Sequence, residues 1–327
     1  VHHEIFGDAV ADLDEIGWYE FPDGITHHFP GATPLDIDRV PDADVIVSYG
    51  PEIEATPRLG LPLQVVQGWG MMGEDAEIYT FRSPCPKICV ARWLVDKGVE
   101  LGVPRDELIH VPLGLPHDRY HVTRPVAGRP PVVSFLLSPH EKKRSALALD
   151  AVTEARRRRP DLIAVAFGSL EPRMTLPAWV EVQVDPPRRY LVDEIYNRSR
   201  VFVCPSVVEG FGLPSVEAMA CGAALVTTDN GGSRDYAVHD ETALVCPPDD
   251  VDALADHIVT LLDDDARRVR LAEAGRAHVR RFDWARSAEL IEDFLHRYLA
   301  DPERYGRTRD PARLATLDHP RFADWSP

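Results

Sequence analysis

The sequence lacks any run of about 18 consecutive apolar residues, so no stretch of it reads as a membrane-spanning helix. It also lacks the paired CxxC knuckles of a zinc module. Of its five cysteines, only Cys85 and Cys89 lie close together, and zinc would need two further ligands. Cys85, Cys89, Cys204, Cys221 and Cys246 therefore read as reduced thiols. The 13 histidines include His2-His3 and His27-His28 but no HExxH or similar spacing, so most read as surface or loop residues. Positive charge is scarce: 36 Lys plus Arg stand against 53 Asp plus Glu, a formal net charge of −17, which argues against nucleic acid as a partner. The tryptophans Trp18, Trp69, Trp93, Trp179, Trp284 and Trp325 are scattered, which suits packing better than a base-stacking platform. Finally, the opening Val1-His2-His3-Glu4-Ile5-Phe6 has no initiator Met and no apolar signal segment, and reads as direct entry into a strand.

What is present fits a folded globular protein. At about 150 residues per domain, 327 residues point to two domains. With 44% hydrophobic residues, there is enough apolar surface to offset the entropy of ordering. In the second half, short β-branched runs alternate with segments of helical period, the signature of a parallel sheet wrapped by helices. Strands are expected at Val132 to Leu137, Leu162 to Phe167, Val180 to Val184, Val201 to Cys204, Ala224 to Thr227 and Ala243 to Cys246. Helices are expected at Arg144 to Arg158 and Tyr190 to Arg198, and Leu254, Ile258, Leu261 and Leu262 mark the buried stripe of another after Asp250. The first half repeats the theme with strands at Val45 to Val47, Leu63 to Val66, Ile88 to Val90 and Leu108 to Val111, and a helix at Arg92 to Leu101. The polar, Pro-rich stretch from Arg124 to Pro131 is expected to link the two domains. The expected organisation is a first domain over 1–124, a second over 125–300 and a tail over 301–327. Arg156 to Arg159 reads as a helix end whose cations complement the dipole, in preference to a membrane patch. Asp263-Asp264-Asp265 reads as a helix junction.

The most informative stretch is Val201 to Gly222. An apolar strand ends at Cys204, a loop carries Gly210 and Gly212, and Pro214 sits where a helix can begin. Such a turn lies at the carboxyl edge of a parallel sheet, where free helix N–H groups favour phosphate. Glu209 in the loop and Glu217, expected in the first helical turn, can point into one cleft, and carboxylates accept hydrogen bonds from the vicinal hydroxyls of a sugar or ribose. Taken singly, a Glu in a first turn is also favoured by the helix dipole alone.

The combination Glu209-Gly-Phe-Gly-Leu-Pro-Ser-Val-Glu217 resembles the E-x7-E signature of retaining glycosyltransferases of family four, which have the GT-B fold. Val226-Thr-Thr-Asp-Asn-Gly231-Gly232-Ser233 is similar to the family's Gly-Gly loop, and Arg281-Phe-Asp-Trp284 to the start of its last long helix, which crosses back to the first domain. The resemblance spans about Val132 to Leu299 and continues upstream in His110 to Tyr120, similar to the family's hinge segment. It implies two Rossmann-like domains facing a central cleft, and transfer of a sugar from a nucleotide-sugar donor to a glycan, lipid-linked or small-molecule acceptor with retention. Glu209 would contact the donor sugar, Glu217 the nucleotide ribose, and Gly210, Phe211, Gly212 and Leu213 the donor through their backbone. Lys142 occupies the place of the family's phosphate-binding Lys; Lys143, Gly231 and Gly232 are further candidates for nucleotide binding. The nucleotide-sugar is a co-substrate, and no cofactor or metal is expected. A phosphate oxygen of the donor would accept the acceptor's proton.

The sequence also departs from the family. Leu137 stands where an Arg is usual, Leu113 and Pro116 replace the hinge Asn and Asp, and Gln67-Gly68-Trp69 lies where many relatives carry a donor-facing His. The segment from Gln67 to Leu94 looks like a subset acting on polysaccharides or glycoconjugates, including some rhamnosyltransferases. By the same comparison one opening βα unit precedes Val1 in relatives. The expected location is the cytoplasm, with peripheral contact at the inner face of the membrane left open. Two alternatives are a nucleotide-sugar epimerase of the same fold, which would turn over donor without acceptor, and a non-catalytic two-lobed sugar-binding protein, which would need a signal peptide for export.

Overall fold

The computed structural model describes residues 2–4, 26–28, 42–49, 60–70, 73–169 and 174–308. Trp18, Trp325 and most of the expected tail lie outside them. At the start, β1 (His2–Glu4) pairs in parallel with β2 (Thr26–His28). A four-stranded parallel sheet follows, built from β3 (Val45–Ser48), β4 (Leu61–Val66), β5 (Lys87–Cys89) and β6 (Leu108–His110) in that spatial order. Helix α1 (Glu74–Arg82) precedes β5 and α2 (Arg92–Glu100) follows it.

The second sheet has six parallel strands: β7 (Val132–Leu136), β8 (Ile163–Gly168), β9 (Val180–Val184), β10 (Val201–Cys204), β11 (Ala224–Thr228) and β12 (Ala243–Cys246). Their order is β12-β11-β10-β7-β8-β9. The chain therefore builds outward from β7 in one direction and returns to build outward from β10 in the other. The gap between the carboxyl ends of β7 and β10 is the topological switch point, where open α/β sheets gather ligands.

Period-two alternation in these strands feeds two layers. Val201 and Val203 face α3 (Ser145–Arg158) and α6 (Val251–Asp263), while Phe202 and Cys204 join the core on the opposite face. There α5 (Leu213–Ala220) packs against α7 (Asp265–Val279). The stripe expected after Asp250 is buried as read, and each of Leu254, Ile258 and Leu261 contributes about 1.5–3 kcal/mol by leaving water. The acidic triplet does mark a helix junction: α6 ends at Asp263, and Asp264 caps α7 by accepting the Arg267 N–H at 2.9 Å. All five cysteines are free and buried, and desolvation raises the Cys221 thiol to about 12.

The Arg156 to Arg159 run is held by local partners: Arg157 pairs with Glu154, Arg158 with Asp256, Arg159 with Asp161 and Asp263, and Arg156 lies over the Trp179 ring. It is not a bare cationic patch.

Three local features differ from the sequence reading. The helix expected at Tyr190 to Arg198 is α4 (Arg188–Tyr190) continued by a π-helical turn over Leu191–Tyr196, closed by Asn197 N–H on the Val192 carbonyl at 2.9 Å. Helix α1 went unread because its nine residues carry a weak apolar stripe. Most instructive is the linker, which is sewn to the second domain by Arg129. Its buried guanidinium donates to the carbonyls of Tyr196, Ser199 and Cys221, at 3.3, 3.0 and 2.8 Å, and to those of Arg124 and Pro125. Desolvation lowers its pKa to about 10, still well above neutrality, so the cation completes the ends of two helical segments.

Helix α8 (Trp284–Ala300) crosses back to the first sheet as the resemblance implied. Phe294 and Tyr298 bury against Leu63, Ile88 and Val111, Tyr305 from the following turn closes the cluster, and the Tyr298 hydroxyl donates to the Pro62 carbonyl at 2.9 Å.

Replacing Arg129 with Met should leave the buried Ser199 and Cys221 carbonyls unpaired. We expect a loss of about 3 kcal/mol in urea unfolding, and a variant as stable as the parent would show that the linker is not anchored there.

Candidate active site

The loop after β7 and the loop after β10 meet at the switch point. In the first, a 3-10 turn over Glu141–Lys143 leads into Arg144, whose left-handed φ of 51° redirects the chain into α3. A non-Gly residue is seldom held there. Its guanidinium is turned aside to Asp249 at 2.8 Å, and its two lysine neighbours face the interdomain cleft. Lys143 Nζ lies 2.8 and 2.7 Å from the two carboxylate oxygens of Glu209, which also accepts the Ser206 hydroxyl at 2.7 Å. Glu209 is 7% exposed, so its charge is held by a cation and a hydroxyl instead of water. Lys142 stands beside them on the cleft wall, its ammonium close to Gly70 of the first domain.

The cleft encloses a cavity of about 510 Å³, the size of a small-molecule site. Lys142, Lys143, Glu209, Gly210, Phe211, Gly212 and Leu213 all line it. Three expected site residues stand elsewhere. Glu217 falls in the second turn of α5, not the first, because the helix begins at Leu213. Its carboxylate accepts the Tyr196 hydroxyl at 2.8 Å, and Tyr120 also acts on its charge. Burial raises its pKa above the ordinary Glu value, against the lowering effect of both tyrosines and of Arg188. Gly231, with φ 82°, lies where a Cβ would come within 2.9 Å of the Trp93 ring, and Gly232 packs beneath the carbonyls of Gly210 and Phe211. Both glycines thus have a packing reason for their identity. Leu137, at the position of the family's usual Arg, is a core residue 6% exposed and brings no charge to the site.

The first domain closes the site through contacts no sequence pattern announced. A Cβ at Gly210 would overlap the Gln67 carbonyl oxygen, so the two backbones meet only because position 210 is glycine. The Trp93 indole N–H donates to the Gly210 carbonyl at 3.0 Å. Asp235 of the second domain accepts the Arg92 N–H at 3.2 Å and lies 3.1 Å from His110 Nε2.

With this geometry established, comparison with known proteins places the chain. Residues 120–278, just under half of it, match the family model described as glycosyl transferases group 1. Over 99 residues the chain is 42% identical to the O-antigen chain mannosyltransferase B of Escherichia coli, covering 29% of this chain and 26% of that protein. It is 41% identical over 114 residues to a D-inositol 3-phosphate glycosyltransferase of Xylanimonas cellulosilytica, covering 34% and 27%. The matched stretch thus spans about a quarter of the length of these curated relatives. The HepE protein of Anabaena, solved with UDP and glucose, superposes with a TM-score of 0.67 at 17% identity over 77% of this chain and 78% of that one. The fold is a two-domain GT-B architecture. Residues 120–278 are thus similar to the group 1 glycosyl transferases.

Two predictions follow from this geometry. Lys143→Met should destabilise the chain by about 2 kcal/mol by stranding the Glu209 carboxylate, and adding Glu209→Gln should restore most of the loss; strictly additive effects in urea unfolding would refute the coupling. In Tyr196→Phe the Glu217 carboxyl loses a donor that favours its charged form, so its titration midpoint, followed by carboxyl NMR, should move further up; a downward move would contradict the assignment.

Proposed function

We propose that the chain transfers a sugar from a nucleotide-sugar donor to a hydroxyl acceptor with retention of configuration. The observation that carries the reading is the Lys143–Glu209 pair, with Lys142 beside it, on the cavity wall at the switch point of a group 1 glycosyl transferase domain. Breaking the bond from the sugar's anomeric carbon to phosphate oxygen builds charge on a nucleoside diphosphate, and two ammonium groups held ready stabilise that charge most where it grows. Lys142 and Lys143 take the diphosphate in this scheme, with the backbone of Gly210 to Leu213 beside it. Glu209, released from Lys143 when phosphate arrives, accepts hydroxyls of the transferred sugar. The acceptor oxygen bonds to the anomeric carbon, and its proton passes to a phosphate oxygen of the departing diphosphate.

The lysines provide the positive charge, so the scheme calls for no metal or other cofactor. Glu217 stands outside the cavity lining, and its role toward ribose rests on the family resemblance, with Tyr196 and Tyr120 holding the carboxylate. Among the described residues no helix is long and apolar enough to cross a membrane. We place the reaction in the cytoplasm, with an acceptor that is a glycan, a lipid-linked glycan at the inner membrane face or a small molecule.

A thermal-shift panel of UDP, GDP, dTDP and ADP sugars tests the donor: the nucleotide that fits raises the melting temperature in proportion to its affinity, and a flat panel would sink the reading. Glu209→Gln should lower transfer by about a hundredfold while nucleoside diphosphate binding persists; a fully active variant would refute its place against the sugar.

A further inference from the structure

Helix α2 meets the second domain with its N-terminus. Ala91, at its N-cap, brings no side-chain hydrogen bond, and the first turn holds no acidic residue to complement the helix dipole. The missing acceptor comes from the other domain. Asp235 Oδ2 takes the Arg92 N–H, the first of the free N–H groups of α2, at 3.2 Å. The same oxygen lies 3.1 Å from Nε2 of His110, the last residue of β6. The Asp235 side chain is 4% exposed, and among the described residues both hydrogen-bond partners of its carboxylate belong to the first domain.

The turn that carries Asp235 is fastened to its own domain by other groups. The Asp235 carbonyl accepts from the Arg281 guanidinium and lies 3.4 Å from His278 Nε2. That 3-10 turn, Gly232–Asp235, continues the loop beside Glu209. The Glu209 N–H donates to the Asn230 carbonyl at 2.9 Å, the Ser233 N–H donates to Asn230 Oδ1 at 2.9 Å, and Glu209 and Gly231 pair as a parallel bridge. One short stretch thus joins the end of α2 to the backbone of Glu209.

We propose that Asp235 is a positioning residue for the transfer reaction: its carboxylate bolts α2 and His110 to the Gly231 loop and so holds the cleft closed around Glu209. Asp235 is not among the described residues that line the cavity, so it acts through closure and not on substrate. Closing a cleft completes a site and excludes water from it. The catalytic part of the inference rests on the glycosyl-transfer reading, whereas the closure itself does not. A carboxylate at a helix N-terminus makes a charge-assisted hydrogen bond, one of the stronger polar contacts open to an interface. Asp235→Ala removes both contacts to the first domain but leaves the backbone carbonyl to Arg281 and His278, so the second domain keeps its turn.

Spin labels on the full chain at Glu100→Cys in the first domain and Asp252→Cys in the second read the gap by pulsed EPR. Both positions are exposed, and the five native cysteines are buried. The parent should give one narrow distance distribution and Asp235→Ala a longer, broader one. Asp235→Asn keeps an oxygen for the Arg92 N–H and should fall between them. With the donor selected by thermal shift, Asp235→Ala should lower kcat about tenfold while the nucleotide melting shift stays that of the parent. An unchanged distance distribution in Asp235→Ala, an Asp235→Asn variant as open as Asp235→Ala, or a kcat equal to the parent's would each overturn the proposal. The distance is read without turnover, so a chain that binds no nucleotide sinks the donor reading and leaves the closure test standing.

Discussion

The site depends on two backbones touching where a side chain would forbid it. Gly210 lets the Gln67 carbonyl approach until no room for a Cβ is left, and the other interdomain contacts near the site follow from that proximity. Trp93 can then reach over to hydrogen-bond Gly210 and lay its ring on Gly231, which brings the loops after β10 and β11 under one residue of the opposite domain. The cavity between Lys142, Glu209 and α1 exists because these surfaces meet at its rim without collapsing its interior. A glycine in a signature motif is easily read as flexibility; here its use is closeness.

A second rigid unit supports the side of the domain that carries Glu217. The π turn brings Tyr196 inward, and Asn197 joins that turn to the hinge: its side-chain oxygen accepts the Thr123 N–H at 2.8 Å and its amide donates to the His121 carbonyl at 3.0 Å. Arg129 ties the same segment to the end of α5. Glu217, Tyr196 and Tyr120 thus sit on three elements fixed to one another by buried hydrogen bonds, which is how a carboxylate can be kept in place despite the desolvation that raises its pKa.

Much of this was legible from residue order. Strands of the second sheet read clearly because fully buried β-branched runs are punctuated by turns, and the Glu209 to Glu217 loop announced itself through glycines, proline and carboxylates at fixed spacing. The separate settings of Lys142, beside Gly70, and Lys143, paired with Glu209, did not: they follow from a 3-10 turn ending in a left-handed Arg144. No local pattern encodes that. Helix α1 was missed because its nine residues carry a weak apolar stripe, and the anchoring of the linker went unread because Arg129's partners Ser199 and Cys221 lie 70 and 92 residues away in sequence. Contacts such as Asp235 with His110 are likewise long-range and have no periodicity to betray them.

The return of α8 to the first sheet has a temporal consequence. Leu63, Ile88 and Val111 leave the ribosome early, yet the Phe294, Tyr298 and Tyr305 side chains that cover them are among the last described residues to be made. The first domain cannot finish its core during its own synthesis; it must wait, with that apolar surface uncovered, until the second domain has been translated. Closing so long a loop is slow relative to local folding. The core of the first domain is thus completed only after the second domain has been made, which ties the folding of one to the translation of the other.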